Sequence, residues 1–301
     1  VILRLRDLRF ELGRRPLLMG IVNATPDSFS DADELPGLEA RVARGEALLD
    51  AGADLLDVGG ESARGDRPPV PADVEAARVT EVVERLCARG ATVSVDTYKP
   101  AVALAAIRAG AVLVNDVSGL RDPELADVCA ATGAGLVVMH TRVAPKGTLL
   151  HPGTYDDVVA DVVAFLLERI DAAVARGVDP EQIVLDPGPD FAKTPAQTVA
   201  VLRRLDALLA VGRPVLLAVS RKDFIGAITG RGPREREAGT LAALGEGVDA
   251  GAHVLRVHDV AAARDFLAVR SVLRGERTLG PLEGLTPERW PDGPPEDLAL
   301  G

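Results

Sequence analysis

Eight short apolar runs in this chain each stop on a polar side chain: Asn23, Asp57, Asp96, Asn115, His140, Asp186, Lys222 and Arg256. Asp96, Asn115 and Asp186 supply acceptors and one amide, a set that suits a flat, donor-rich heterocycle such as an aminopyrimidinone in a dry pocket. Lys222, Arg256 and His258 are donors and cations. Beside Asn23 they read as a clamp for phosphate or pyrophosphate, with the Asn23 amide oxygen available to Mg²⁺. Arg256 and His258 alternate along one run, so both can leave the same face of a strand. A structural reading competes at each position. Asp116 and Asp122 are placed to cap following helices, and Arg256 to pair with Asp259 or another carboxylate. Zinc chemistry is unsupported, because the four histidines are scattered and Cys87 and Cys129 lack a metal-ligand spacing. So is a nucleophilic triad, since Ser28, Ser62 and Ser220 have no evident base with its orienting partner.

The elements that must position these residues repeat. Eight times a helix closes on Gly or Gly-Ala, a buried strand of about five residues follows, and polar residues end it. Ala51-Gly52-Ala53, Ala109-Gly110-Ala111 and Ala250-Gly251-Ala252 mark helix-to-strand turns, where the glycine takes a left-handed cap. Eight such units without a Gly-x-Gly-x-x-Gly fingerprint predict an α/β fold, a closed (β/α)8 TIM barrel rather than a doubly wound sheet. In a barrel all eight polar ends open onto one mouth. Residues 1–16 alternate apolar and charged side chains and predict an N-terminal β-hairpin. The barrel spans 1–275; residues 276–301, rich in Pro and Gly, read as a C-terminal extension without a core.

Composition narrows the partners. The 301 residues, 47% apolar, carry a net charge of −11, which argues against nucleic acid. An anionic ligand must therefore be held by a local basic cluster against the global field. No stretch is long and apolar enough to span a bilayer. Two separated cysteines read as free thiols in a reducing cytoplasm. Lysine is rare beside arginine, and Lys99, Lys146, Lys193 and Lys222 stand out for that reason.

The motifs carry a resemblance. Gly20–Asp31, Asp57-Val58-Gly59-Gly60-Glu61-Ser62, Val95-Asp96-Thr97, Asn115-Asp116-Val117, Met139-His140, Asp186-Pro187-Gly188, Ser220-Arg221-Lys222 and Arg256-Val257-His258-Asp259-Val260 resemble, in order, those of the dihydropteroate synthases. The resemblance implies condensation of 6-hydroxymethyl-7,8-dihydropterin diphosphate with p-aminobenzoate, in a homodimer. It implies that Asp96, Asn115, Met139, Asp186 and Lys222 hold the pterin, with Arg256 over its ring. Asn23 would bind Mg²⁺ and diphosphate, and Arg256 and His258 would grip the leaving group. Asp27, Phe29, Asp31 and Arg64, on two loops, would close a p-aminobenzoate pocket with Phe191 and Lys222.

The chain departs from that pattern on the arylamine side. Ala63 replaces an expected hydroxyl, and Ala32-Asp33 replaces Gly-Gly. Asp190-Phe191-Ala192-Lys193 stands for Gly-Phe-Gly-Lys, and Asp223 for Ser. An Asp223 carboxylate beside that of p-aminobenzoate would repel it by up to ~4 kcal/mol at about 4 Å and intermediate dielectric. Two alternatives follow: a catalytically impaired paralogue kept as a pterin-binding module, and a pterin-dependent methyltransferase. Methyltransferases of this kind lack the Ser-Arg-Lys and Arg-Val-His-Asp-Val pair found here.

Overall fold

Alternating apolar residues at the N-terminus fold back on themselves as expected, β1 (Ile2–Leu5) pairing antiparallel with β2 (Leu8–Glu11). The computed structural model describes residues 1–13, 15–24, 37–62, 68–147 and 150–280. Asp27, Phe29, Asp31 and Arg64 lie outside them, as do Ala32, Asp33, Ala63 and the tail after Gly280.

Eight parallel strands follow: β3 (Leu17–Asn23), β4 (Leu55–Gly59), β5 (Val93–Asp96), β6 (Leu113–Asp116), β7 (Gly135–Met139), β8 (Ile183–Asp186), β9 (Leu216–Leu217) and β10 (Val254–Val257). Their order is β8-β7-β6-β5-β4-β3-β10-β9. A parallel bridge between Leu185 and Val215, with the Leu185 N–H donating to the Pro214 carbonyl at 2.8 Å, joins the two edges into a barrel. The helices between them are α1 (Leu38–Asp50), α2 (Ala72–Ala88), α3 (Pro100–Arg108), α4 (Glu124–Thr132), α5 (Val158–Ala175), α6 (Pro195–Arg203), α7 (Leu205–Leu209), α8 (Asp223–Thr229), α9 (Glu237–Ala250) and α10 (Val260–Leu273). The single helix expected before Gly251 is two, because Gly230 terminates α8 in the left-handed region at φ +70°. Gly52, Gly110 and Gly251 take positive φ at the predicted turns.

Two apolar clusters divide the interior. Outward-facing strand residues such as Leu56, Val58, Val95 and Val114 pack with the helices. Met19, Leu55, Leu113, Val137, Val184, Leu216 and Val254 form the second cluster inside the barrel, together with Leu3, Leu5 and Leu12. The hairpin thus plugs the barrel's lower end, with Leu3 and Leu5 fully buried. The carboxylates Asp57 and Asp186 and the Asn115 amide, all buried, stand in the upper layer, above this cluster. That is the layer a site needs.

Candidate active site

Strand alternation carries the inward face two residues on from Leu55, Leu113, Val137, Val184 and Val254 to Asp57, Asn115, Met139, Asp186 and Arg256. Asp57 has no exposure and sits at the centre. Its Oδ2 accepts from Arg256 Nε at 2.6 Å and from Asn115 Nδ2 at 2.9 Å. Arg256 Nη2 donates to Asp96 Oδ2 at 2.7 Å. Two carboxylates therefore share one guanidinium. Burial, aided by the Asp57 charge, pushes the Asp96 carboxyl up to about 7 against the pull of Arg256. Burial also raises Asp186, whose Oδ1 accepts from the Gly188 N–H at 2.7 Å. Asn115 Oδ1, Asp57 Oδ1 and Ser94 Oγ are buried without a partner among the described residues. Unpaired buried acceptors are costly, and a ligand rich in N–H groups would satisfy them. Met139, also buried, stands beside Asp186 on the neighbouring strand. The ion pairing that competed with a ligand role for Arg256 is present, with Asp57 and Asp96 in place of Asp259.

Cations line the other side. Lys222 Nζ lies 4.2 Å from the Phe191 ring centroid, and burial lowers its pKa against the attraction of Asp190 and Asp186. His258 follows Arg256 on the inner face and bonds through Nδ1 to Ser220 Oγ at 2.9 Å. Burial, with Arg221, Arg256 and Lys222 close by, drops its pKa to about 3, so the imidazole is neutral. Asn23 is exposed at the open end of β3. A cleft lined by Glu61, Tyr98, Thr141, Lys146 and Phe191 among others opens beside Asp96.

Residues 19–258 match the model of the pterin binding enzyme family. The dihydropteroate synthase of Bacillus subtilis is 42% identical over 248 residues, 82% of this chain and 84% of that protein. The chain belongs to the dihydropteroate synthase family. Two structures of the Xanthomonas albilineans dihydropteroate synthase, with 4-aminobenzoic acid and with 7,8-dihydropteroate, are each 44% identical. The first covers 91% of this chain and 99% of its own at TM-score 0.82, the second 90% and 98% at 0.80.

Where the chain departs from the family pattern, the geometry gives local reasons. The Asp223 side chain is 85% exposed and pairs with Arg236 at 2.8 Å. Asp190 Oδ2 accepts from the Asp223 and Phe224 N–H groups at 2.5 and 3.2 Å, capping α8 from a neighbouring loop. Asp190 and Ala192, in place of glycines, both keep left-handed backbones at φ +65° and +51°. Lys193 holds that loop down, donating to the Gly188 and Phe191 carbonyls at 3.0 and 3.1 Å and to His140 Nδ1 at 2.7 Å. Burial lowers its pKa to about 7. Asp122 accepts from the Glu124 N–H at the start of α4, the capping role expected of it, whereas Asp116 accepts from the Ser118 and Leu120 N–H groups and ties down the turn after β6 instead of capping a helix.

One placement corrects the sequence reading. His140 does not face the mouth: it points outward from β7, 2.9 Å from Asp161 on α5 and against Phe165. Met139 faces in, so strand alternation turns the next side chain out. The sequence reading gave Asp57 no ligand role and passed over Glu61. Glu61 pairs with Lys99 at 2.5 Å and Lys146 at 3.3 Å and accepts from Tyr98 Oη at 3.1 Å. Lys99 also bonds Glu75. Lysine rarity was the available signal, since all four lysines stand at or under the mouth.

Proposed function

We propose that this chain is a dihydropteroate synthase, a transferase joining 6-hydroxymethyl-7,8-dihydropterin diphosphate to p-aminobenzoate and releasing diphosphate. The observation that carries this reading is the buried, unpartnered Asn115 and Asp57 oxygens beside Asp96 and Asp186, facing Lys222, Arg256 and His258. The amino and N–H groups of a pterin meet the first set, and diphosphate meets the second.

Loss of diphosphate leaves positive charge on the pterin methylene. Asp96 and Asp186 favour that cation by charge, while Arg256, Lys222 and the His258 N–H stabilise the departing oxygens. p-Aminobenzoate, a neutral arylamine nucleophile, then needs only placement near Phe191 and Lys222. No protein nucleophile is called for. Asn23 offers a hard oxygen suited to Mg²⁺, with diphosphate oxygens and water to complete its coordination. When bound, the ion would supply charge neutralisation at the leaving group.

The reading extends to a homodimer in a reducing cytoplasm. Exposed Ile228, Val269 and Leu273 on α8 and α10 support the first, and the free thiols Cys87 and Cys129 the second. No helix among the described residues is long and apolar enough to cross a membrane. Turnover with both substrates and Mg²⁺ tests the proposal. Dihydropteroate should form, and tight binding of pterin diphosphate without product would leave only a binding module. Asp223, turned away onto Arg236, removes one motive for that rival.

A further inference from the structure

Ser220 precedes the site cations but has no role in the chemistry above. Its Oγ accepts from the His258 backbone N–H at 3.2 Å and lies 2.9 Å from His258 Nδ1. A hydroxyl that accepts from the N–H has its own proton free to give, and Nδ1 is in reach of it. We infer that Ser220 is a positioning residue that holds His258 as the Nε2–H tautomer, so that the ring presents a donor, not a lone pair, to the departing diphosphate. The inference rests on the proposed role of His258 at the leaving group.

The two tautomers differ sharply toward an anion. With the proton on Nδ1, the Nε2 lone pair would face diphosphate oxygens and repel them. Among the described residues, the charged side chains that act most strongly on the ring, Arg221, Arg256, Lys222 and Arg44, are all cations and provide no acceptor. The backbone around the ring is also held, since Arg44 Nη2 donates to the His258 carbonyl at 2.7 Å and Thr240 Oγ1 accepts from the Arg221 N–H at 3.0 Å. Ser220 itself is buried. Its rotamer is therefore confined along with its proton.

The test is ¹⁵N NMR of imidazole-labelled protein at pH 7, with the His258 signals assigned by their loss in His258→Ala. The expected spectrum shows a neutral ring protonated at Nε2; an Nδ1–H ring or an imidazolium would overturn the inference. In Ser220→Ala the tautomer should become mixed and kcat/KM for pterin diphosphate should fall about tenfold, with KM for p-aminobenzoate unchanged. Ser220→Thr, which keeps the hydroxyl, should restore both. A Ser220→Ala protein that keeps the pure tautomer and full rate would overturn the inference. Should His258→Ala leave pterin diphosphate turnover intact, the leaving-group role of His258 fails instead, and the wild-type spectrum still decides the tautomer.

Discussion

Asp57 shows how much of this site hangs on single atoms. One carboxylate oxygen accepts from two partners, and the Arg256 it holds also pairs with a second carboxylate, Asp96. Asp57→Asn keeps the size but leaves Arg256 with Asp96 alone. Breaking a buried ion pair from one side costs on the order of 3–5 kcal/mol. Urea unfolding should register a loss of that order, and calorimetry should show pterin binding weakened at least tenfold (about 1.4 kcal/mol). An unchanged affinity would place the pterin elsewhere. Phe191 offers a milder probe. Phe191→Leu removes the ring under Lys222 while keeping apolar bulk, a loss of about 1 kcal/mol of cation–π attraction. KM for p-aminobenzoate should then rise about fivefold with the pterin diphosphate KM unmoved. At this scale the sequence was informative, because a polar residue ending an apolar run is visible without a structure. Asp57's part was not visible, since its partner Arg256 stands 199 residues further along the chain.

Between β8 and α6 the backbone is strained in the one loop that carries Phe191. Ala192 at φ +51° occupies a region that costs an L-residue about 1–2 kcal/mol, while glycine enters it freely. Ala192→Gly should relieve that strain, offset in part by the greater freedom of glycine when unfolded. A net stabilisation of about 0.5–1 kcal/mol, read from the urea midpoint, is expected. Asp190 is the opposite case, because its carboxylate caps α8 from outside the helix. Asp190→Ala should cost about 1–2 kcal/mol. Element identities were largely legible: the left-handed turns at Gly52, Gly110 and Gly251 follow from the Ala-Gly-Ala phrases, and each strand from its apolar run. Facing was less so. Met139 and His140 are adjacent and cannot both point inward, a constraint that periodicity contains but that the polar character of His140 obscured. The extent of β9 was hidden too: the apolar run from Val215 to Val219 keeps only Leu216–Leu217 as ladder, a matter of neighbouring strands and not of local preference.

For the molecule as a whole, packing buries titratable groups of both kinds, and their pH responses have opposite signs. His140 is held neutral with its pKa lowered to about 3 by burial and by Lys193, although Asp161 opposes the shift. His258 is lowered to about 3 as well. Between pH 6.5 and 3 the unfolded chain takes up protons that the folded imidazoles refuse, so stability falls as acid is added across that window. Asp96 acts the other way. With its folded pKa raised to about 7, the native state holds a proton that the unfolded chain releases between pH 3.8 and 7, so its contribution is greatest in acid and fades as pH rises through 7. The two effects oppose each other above pH 4, and below it only the histidines change. The barrel should therefore lose stability most steeply below pH 4, and single variants separate the terms. His140→Gln keeps an acceptor for Lys193 but cannot take a proton, so its urea midpoint should fall less than the wild type's between pH 6 and 4. Asp96→Asn should shift the slope in the reverse sense, with a steeper fall over the same interval. The hairpin plug enters neither comparison, because it seals the far end of the barrel with leucines that do not titrate. Parallel slopes for wild type and His140→Gln would mean that His140 is already charged in the folded barrel, which its place between Lys193 and the Phe165 ring argues against.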